Sequence, residues 1–346
     1  MIVWFSLVGV LVATRVVLGR LDSKRMRQSF LLITGTATAL VMGLRHPLHS
    51  GSYDVRNYYR FYERLIGTSW SDVFDVVPQF EAGYVVANKL LASIIPWPQF
   101  VLIAEAVFCV YAVTRFIYLN TDHVFDGMLY YVTLGTMTFQ LTGFRQAVAM
   151  GVCMLSVELA KSRRALPFLL LVLVAATFHR TAIVFLPAYF LIGRKPTFTS
   201  MTLAVGALVA GTLSAEYITV RGNTLFGTSY GTYVGNLYGG VVPILVYSAA
   251  IALSVWHRRS VRSWTGFNLT TAGLTVYVMR YVTLALERVS FYFTSGAIVA
   301  LPEAIKSEQN AHLRAALQVL AVAGALGLFF YRVATSEWGV YRFFWQ

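Results

Sequence analysis

The sequence predicts an all-α fold, a polytopic bundle of transmembrane helices, and three observations support this prediction. Of the 346 residues, 57% are hydrophobic and only 12% are charged, and the mean hydropathy is +0.64. A soluble domain has about 25% charged residues, so this chain has too few charges to cover a water-exposed surface. The apolar residues fall in long runs, and basic residues recur in the short loops between them. This arrangement is typical of membrane topology and accounts for the net charge of +13 without nucleic acid as a partner.

The apolar runs define about twelve candidate spans within one transmembrane domain, residues 1–346. The first run is interpreted as a retained helix, because Arg20 and Lys24 follow it in place of a small-residue cleavage site. Several runs are shorter than the roughly 20 residues that cross a bilayer, which predicts tilted, broken or half-spanning helices among them. The runs are 2–19, 29–44, 99–118, 126–142, 145–160, 165–178, 181–193, 199–218, 239–256, 266–285, 289–304 and 312–330.

The segment 81–95 decides the orientation of everything after it. It is apolar enough for a short span but contains Glu81, Asn88 and Lys89. If it lies on the outer surface instead of crossing, the later basic clusters face inward, as the positive-inside rule favours. Residues 45–98 then form an extracytoplasmic loop region with two juxtamembrane helices, which begin near Tyr53 and near Glu81. The basic clusters are Lys161, Arg163, Arg164, Arg194, Lys195, Arg258, Arg259 and Arg262.

With this orientation, polar side chains collect at the outward ends of the helices. Few arginines are expected on that side, and ionisable residues at a membrane edge are candidates for function. Arginine binds phosphate or pyrophosphate well, because its planar guanidinium donates two parallel hydrogen bonds and stays charged. The candidate binding residues are Arg45, Tyr58, Tyr84, Arg145, Gln146, Arg180, Arg280 and Arg288, and the candidate bases are Asp54, Glu81 and His179.

The choice of base stays open at this point, because each of the three candidates can accept a proton near neutral pH. Each residue also has a purely structural interpretation. Arg45 extends toward lipid headgroups, Asp54 caps a helix, and His179 is a hydrogen-bonded interior residue. Glu105, within the third run, is interpreted as a buried hydrogen-bonded group that pairs with Arg280. The number of polar residues on one face favours a functional site over these separate explanations.

The sequence lacks the motifs of soluble enzymes. There is no phosphate-binding glycine-rich loop, no GxSxG and no HExxH motif. Asp72 and Asp75 do not have the Asp-x-Asp spacing that holds a metal in many nucleotide-sugar transferases. Cys109 and Cys153 both lie in apolar runs, which argues against a disulfide or a metal cluster. We therefore expect no cofactor and no metal.

In order and spacing, these residues resemble the EpsG family, a group within the Wzy-like polysaccharide polymerases. The similarity runs from about residue 45 to residue 293. The sequence departs from the family at Ala82, where a proline is usual. The matching elements are Arg45, Tyr53-Asp54, Tyr58-Tyr59, Glu81-Ala82-Gly83-Tyr84, Phe144-Arg145-Gln146, Phe178-His179-Arg180, and Arg288 with Phe291-Tyr292-Phe293.

The resemblance implies a metal-independent membrane glycosyltransferase, helical like the class C transferases, in the bacterial plasma (inner) membrane with its active site facing the periplasm or exterior. It would join polyprenyl-pyrophosphate-linked donor and acceptor oligosaccharides into O-antigen, capsule or exopolysaccharide. The expected partners also include membrane lipids, a chain-length regulator and a flippase. The residues alone leave three alternatives open: a lipid-linked oligosaccharide flippase or transporter, a glycan ligase, and a membrane acyltransferase.

Overall fold

The structure, a computed structural model, describes residues 1–49, 53–226, 240–257, 263–282, 284–336 and 339–346. Within these ranges every regular element is helical, apart from one isolated antiparallel bridge between Arg45 and Phe343. The all-α prediction is confirmed for this part of the chain. The predicted basic cluster of Arg258, Arg259 and Arg262 lies outside the described residues.

The helices follow the apolar runs of the sequence. Two 3-10 helices cover Arg180–Phe185 and Met279–Tyr281. The α-helices are α1 Ile2–Leu18, α2 Lys24–Gly43, α3 Tyr53–Gly67, α4 Ala82–Ile94, α5 Phe100–Asn120, α6 Val124–Thr133, α7 Thr136–Gln140, α8 Phe144–Lys161, α9 Ala165–Phe178, α10 Ala188–Leu191, α11 Phe198–Phe226, α12 Val241–Trp256, α13 Thr265–Val278, α14 Leu284–Thr294, α15 Ala297–Lys306 and α16 Ala311–Thr335.

Among the described residues, two helices are long and apolar enough to cross a membrane, α5 and α16. Helices α14 and α15 satisfy the same criteria together, but they bend by 54° where they meet. Other apolar helices are shorter, and they include α1, α4, α9 and α12. These helices support a membrane protein, while the figure of about twelve crossings stays a prediction.

Several of the predicted spans are interrupted, as expected for runs that are short, and 126–142 and 181–193 are two of them. The run 126–142 breaks at Gly135, whose φ of 111° separates α6 from α7. Residues with a Cβ rarely adopt this conformation, so glycine suits the break. The run 181–193 forms a 3-10 helix and then α10, which starts directly after Pro187. Proline lacks the N–H that would continue the preceding helix.

The chain forms two compact units. The first comprises Met1–Ser156, Leu169–Ile183 and Leu320–Gln346, and the second comprises Val157–Phe168 and Val184–Val319. In the first unit, α2 packs along α5, and the C-terminal tail returns to the end of α2. There the amide of Phe344 donates to the Leu44 carbonyl at 2.9 Å.

In the second unit, Arg163 has more than the topological role expected of it. It donates to the Tyr189 carbonyl at 2.8 Å and to the Ile192 carbonyl at 3.1 Å. The Tyr189 hydroxyl donates back to the Arg163 carbonyl at 3.0 Å. Arg163 therefore fixes the turn after α8 to the region around α10, in addition to its place in a predicted basic cluster.

Candidate functional site

The loop region 45–98 holds two packed helices, α3 and α4, which begin where the sequence predicted. The apolar side of α3 presents Val55, Tyr58, Phe61, Tyr62 and Leu65, all buried, at helical spacing. These side chains pack against the start of α4 and against Phe144 of α8. This packing positions the residue that precedes α4, Glu81.

A buried lysine, Lys89, connects α3 and α4 through hydrogen bonds. The ammonium of Lys89 in α4 donates to the carbonyl of Leu65 at 2.9 Å and to that of Thr68 at 2.6 Å, at the C-terminal end of α3. A cation suits this position, because the last carbonyls of a helix carry partial negative charge and lack partners within the helix. The orientation of α4, and therefore of Glu81, is fixed by this contact.

Gly83 allows α4 to approach the end of α9. A Cβ at this position would lie 2.1 Å from the Thr177 Oγ1 and 2.8 Å from the Thr177 carbonyl oxygen. No side chain fits there without displacing backbone. Because Thr177 immediately precedes Phe178 and His179, this close approach brings His179 to Glu81.

Glu81 is the centre of the candidate site, with partners from two other parts of the first unit. Its Oε2 lies 2.6 Å from Nη1 of Arg145, at the start of α8. Its Oε1 lies 3.2 Å from Nδ1 of His179 and accepts a hydrogen bond from the amide of Arg180, also at 3.2 Å. The carboxylate is 8% exposed, and the side chains of Arg145 and His179 are 21% and 12% exposed. Residues almost 100 positions apart thus converge on one carboxylate.

The charges around Glu81 determine its ionisation. Burial alone would raise the pKa of the carboxyl, but the neighbouring His179 and the positive charge of Arg145 outweigh burial and lower the pKa from 4.5 to about 2. Glu81 is therefore ionised at neutral pH. A carboxylate with so low a pKa is a weak base, since general bases work best with a pKa near the working pH.

Arg145 lies among aromatic rings. Its guanidinium carbon is 4.4 Å from the centre of the Phe80 ring, a cation–π distance. It hydrogen-bonds to the hydroxyl of Tyr58, and the Tyr58 ring stacks on Phe144 with centroids 4.8 Å apart. Its Nε is buried and has no hydrogen-bond partner among the described residues. The guanidinium is held in place by stacking and by Glu81, and it retains donor capacity.

Tyr58, Tyr84 and Asp54 belong to the same neighbourhood. Tyr58 and Tyr84 are buried, with ring centroids 5.7 Å apart. Asp54 lies one helical turn before Tyr58, in the first turn of α3, where an acidic residue also favours the helix dipole. Burial raises the pKa of the Tyr58 hydroxyl, and Asp54 raises it further, although Arg145 acts in the opposite direction. Tyr58 therefore stays protonated at neutral pH.

Arg45 is completely buried, which differs from a residue that extends toward lipid headgroups. Its guanidinium donates to the carbonyls of Met42 and Leu141, the latter at 2.7 Å. Its charge faces Glu105 and lies 5.5 Å from the Phe144 ring. The structure thus connects Arg45 to the site through Phe144, and its predicted contact with a pyrophosphate stays a prediction.

The remaining predicted residues divide between the two units. Gln146 is buried next to Arg145, and Arg180 has an exposed side chain next to His179. Arg280 and Arg288 belong to the second unit, where Nε of Arg280 donates to Glu287 at 2.9 Å. Glu105, in the first unit, accepts a hydrogen bond from Cys109 at 3.2 Å and is influenced by the charge of Arg45, and its expected pairing with Arg280 stays a prediction.

Sequence reasoning missed the supporting residues. Phe80 stacks on Arg145, and Thr177 meets Gly83. Both are adjacent or nearly adjacent to predicted site residues, and this adjacency was the only available signal. In the described part of the chain, no three His, Cys, Asp or Glu side chains are grouped closely enough to hold a metal ion.

A comparison with known families gives one match. The model of the EpsG family matches residues 29–343, nearly the whole chain. This range runs from within α2 through α16 and includes every residue described around Glu81. No curated protein and no solved structure matches the chain.

Proposed function

Because the chain belongs to the EpsG family, we propose that it polymerises a bacterial surface polysaccharide from polyprenyl-pyrophosphate-linked oligosaccharides. The observation that supports this most strongly is the convergence of Arg145, His179 and the Arg180 amide on Glu81. A site that combines cationic donors, an imidazole and aromatic rings has what a glycosyl transfer from a pyrophosphate requires. The reaction takes place at the outer face of the plasma membrane, in a bundle of about twelve spans like that of the class C transferases.

The donor is bound through its pyrophosphate by Arg145 and Arg180. Arg145 is held in one orientation by Phe80 and Glu81, so little conformational entropy is lost when its remaining N–H groups meet an anion. Arg180 places a second positive charge next to His179. The roles predicted for Arg280 and Arg288 in the second unit stay predictions of the same kind.

His179 is the base in this proposal. Glu81 is a weak base, because its pKa is lowered to about 2, but its Oε1 lies 3.2 Å from Nδ1 of the imidazole, close enough to hold the ring once His179 is protonated. The other ring nitrogen, Nε2, is then the one that accepts a proton. A carboxylate plays the same orienting role beside a catalytic histidine in other enzymes. Asp54 contributes to the field around Tyr58.

The reaction is a displacement at the anomeric carbon of the donor sugar. The hydroxyl oxygen of the acceptor forms a bond to that carbon and gives its proton to Nε2 of His179. The bond between the carbon and the pyrophosphate oxygen breaks, and polyprenyl pyrophosphate leaves with the electron pair. Arg145 and Arg180 offset the charge that develops on the leaving group, where preorganised donors lower the barrier most. The energy is already stored in the donor, so the reaction consumes no nucleotide.

The test is the product formed by purified protein in lipid nanodiscs with a polyprenyl-pyrophosphate oligosaccharide. A ladder of longer lipid-linked glycans supports the proposal. Movement of the oligosaccharide across the bilayer without a new glycosidic bond would identify a flippase, and a single transfer to a different acceptor would identify a ligase. The ladder should also persist in EDTA. Loss of the ladder in EDTA that added metal reverses would refute the metal-independent mechanism.

A further inference from the structure

The C-terminal end of α2 is held by parts of the first unit that lie far apart in the chain. The last carbonyl groups of a helix have no partner within the helix itself. The Gln99 side chain donates to the Gly43 carbonyl at 2.8 Å. The Tyr341 hydroxyl donates to the Val41 carbonyl at 2.7 Å. Gln99 also donates to the carbonyl of Arg45 at 3.0 Å, so the backbone of Arg45 is fixed together with the end of the helix.

The Arg45 side chain is completely buried, and its guanidinium lies among negative partners. It donates to the Met42 carbonyl at the end of α2 and, at 2.7 Å, to the Leu141 carbonyl at the end of α7. Carbonyls at the C-terminal ends of helices carry partial negative charge. The charge of Glu105, in α5, also acts on Arg45. A pyrophosphate would have to displace these partners and enter the interior of the unit, so the position of Arg45 argues against a direct contact with the donor.

Glu105 depends on Arg45 in turn. One of its carboxylate oxygens accepts a hydrogen bond from Cys109 at 3.2 Å, and the other is buried with no hydrogen-bond partner among the described residues. A buried charge is costly unless an opposite charge compensates it. Arg45 and Glu105 therefore form a buried pair of opposite charges, in which removal of one leaves the other uncompensated.

Arg45 contacts both sides of the turn that leads to Arg145. Leu141 opens this turn, and Phe144 and Arg145 are the first two residues of α8. Arg45 binds the Leu141 carbonyl before the turn and lies 5.5 Å from the Phe144 ring after it. The same ring stacks on Tyr58, which hydrogen-bonds to Arg145. The start of α8, and with it the position of the Arg145 side chain, therefore depends on Arg45.

We propose that Arg45 and Glu105 together hold the turn before α8 and so place the Arg145 guanidinium, which makes Arg45 a positioning residue. The proposal rests on the proposed function, in which Arg145 binds the donor, and it gives Arg45 an indirect part in that function. The direct pyrophosphate contact predicted from the sequence is the alternative that the experiments must exclude. An indirect role requires that the effect of Arg45 on the reaction pass through Arg145.

The first experiment detects the position of Arg145 by fluorine NMR in the absence of donor. 4-Fluorophenylalanine replaces Phe80 in the full-length protein in nanodiscs, because the Arg145 guanidinium carbon lies 4.4 Å from the centre of this ring and its charge acts on the ring. The double variant Arg45→Gln, Glu105→Gln removes both buried charges and leaves neither uncompensated. We expect it to move the fluorine resonance in the direction that Arg145→Lys moves it, and to have no further effect in the Arg145→Lys background.

Thr38→Val is the matched control, since Thr38 is also buried on α2 and its hydroxyl donates to the Thr34 carbonyl at 2.8 Å. Its resonance should stay at the wild-type position. If the double variant does not fold, Arg45→Lys keeps the charge, lacks the broad planar group that spans two carbonyls, and should move the resonance in the same direction. An unmoved resonance in the folded variant would overturn the proposal, and so would a movement that persists in full after Arg145→Lys.

The second experiment compares initial rates of ladder extension per folded protein. The double variant should lower the rate about tenfold or more, because a catalytic group misplaced by about 1 Å can cost about a hundredfold. In the Arg145→Lys background, the same change should alter the rate by no more than about twofold, since the two effects are not independent. A lower rate with an unmoved fluorine resonance would identify Arg45 as a donor ligand and overturn the proposal. A lower yield of folded protein with an unchanged rate would also overturn it. If the wild type forms no ladder, the proposed function fails, and the fluorine experiment alone decides whether Arg45 positions Arg145.

Discussion

Replacing Arg145 by lysine tests whether its planar guanidinium, and not merely its charge, is required. Lysine keeps a positive charge that can approach Glu81, whose Oε2 now lies 2.6 Å from Nη1 of the arginine. Lysine lacks the planar guanidinium, whose carbon lies 4.4 Å from the Phe80 ring centre in the wild type. It also cannot donate two parallel hydrogen bonds to a phosphate. The variant therefore preserves the local charge and removes the cation–π contact and the bidentate geometry.

The expected effects on stability and on rate differ in size. Loss of a cation–π contact at a partly exposed site costs about 0.5–1 kcal/mol of folding free energy, too little to unfold the protein. Loss of a donor that stabilises a developing charge costs about 2.7–4 kcal/mol of activation free energy. At 1.36 kcal/mol per tenfold, this corresponds to a rate at least about a hundredfold lower.

The assay is the initial rate of ladder extension per folded protein, measured in nanodiscs. Arg20→Lys is the matched control, since Arg20 is exposed and lies outside the site. A rate for Arg145→Lys within about twofold of the wild type, a difference of only about 0.4 kcal/mol, would show that Arg145 is not a pyrophosphate clamp. The same change at Arg288 tests the prediction for that residue of the second unit separately.

Three further predictions address the packing, the charge and the orientation of the site. Gly83→Ala should destabilise the protein by about 1–3 kcal/mol through its clash with Thr177, whereas Gly67→Ala, with no atom within 4 Å of the new Cβ, should not lower the denaturation midpoint. Glu81→Gln should lower the free energy of unfolding by about 1–2 kcal/mol at neutral pH, after allowance for screening. This difference from the wild type should be complete above pH 4.5 and should vanish as the pH falls through about 2. A difference in unfolding free energy that does not change with pH would contradict this. A cysteine at position 67 should react with an impermeant reagent from outside and one at Ser162 should not; external labelling at Ser162 would overturn the surface location of the segment 81–95.

The sequence predicts the site residues whose position follows from the membrane topology. Glu81, Arg145 and His179 lie in three different loops or turns, and the positive-inside rule assigned all three to one membrane face. The starts of α3 and α4 were also predictable, because Asp54 and Glu81 precede or begin amphipathic stretches. Topology and local signals restrict where a residue lies along the membrane normal, and here they were sufficient to assemble the candidates.

The rest depends on tertiary distances that no local pattern encodes. The closeness of Gly83 to Thr177 is a contact between residues 94 positions apart in the chain, and a single glycine in a sequence has many explanations. Arg45 has the same sequence context as an arginine that reaches headgroups, yet its donors bind the Met42 and Leu141 carbonyls. Arg163 matches the topology rule and also binds two carbonyls. Both arginines show that a charge pattern does not predict the hydrogen-bond partners of a side chain.

The ion pair between Arg145 and Glu81 has a consequence for the proposed reaction. A pyrophosphate carries more negative charge than a carboxylate, so it competes with Glu81 for the guanidinium. Any weakening of that ion pair reduces one of the influences that lower the pKa of Glu81, and the pKa then rises from about 2. A carboxylate with a higher pKa holds a protonated His179 more effectively as the imidazole takes the proton from the acceptor. Donor binding at Arg145 would therefore prepare Glu81 and His179 for the step that follows, which links the binding and basic functions of the site through one carboxylate.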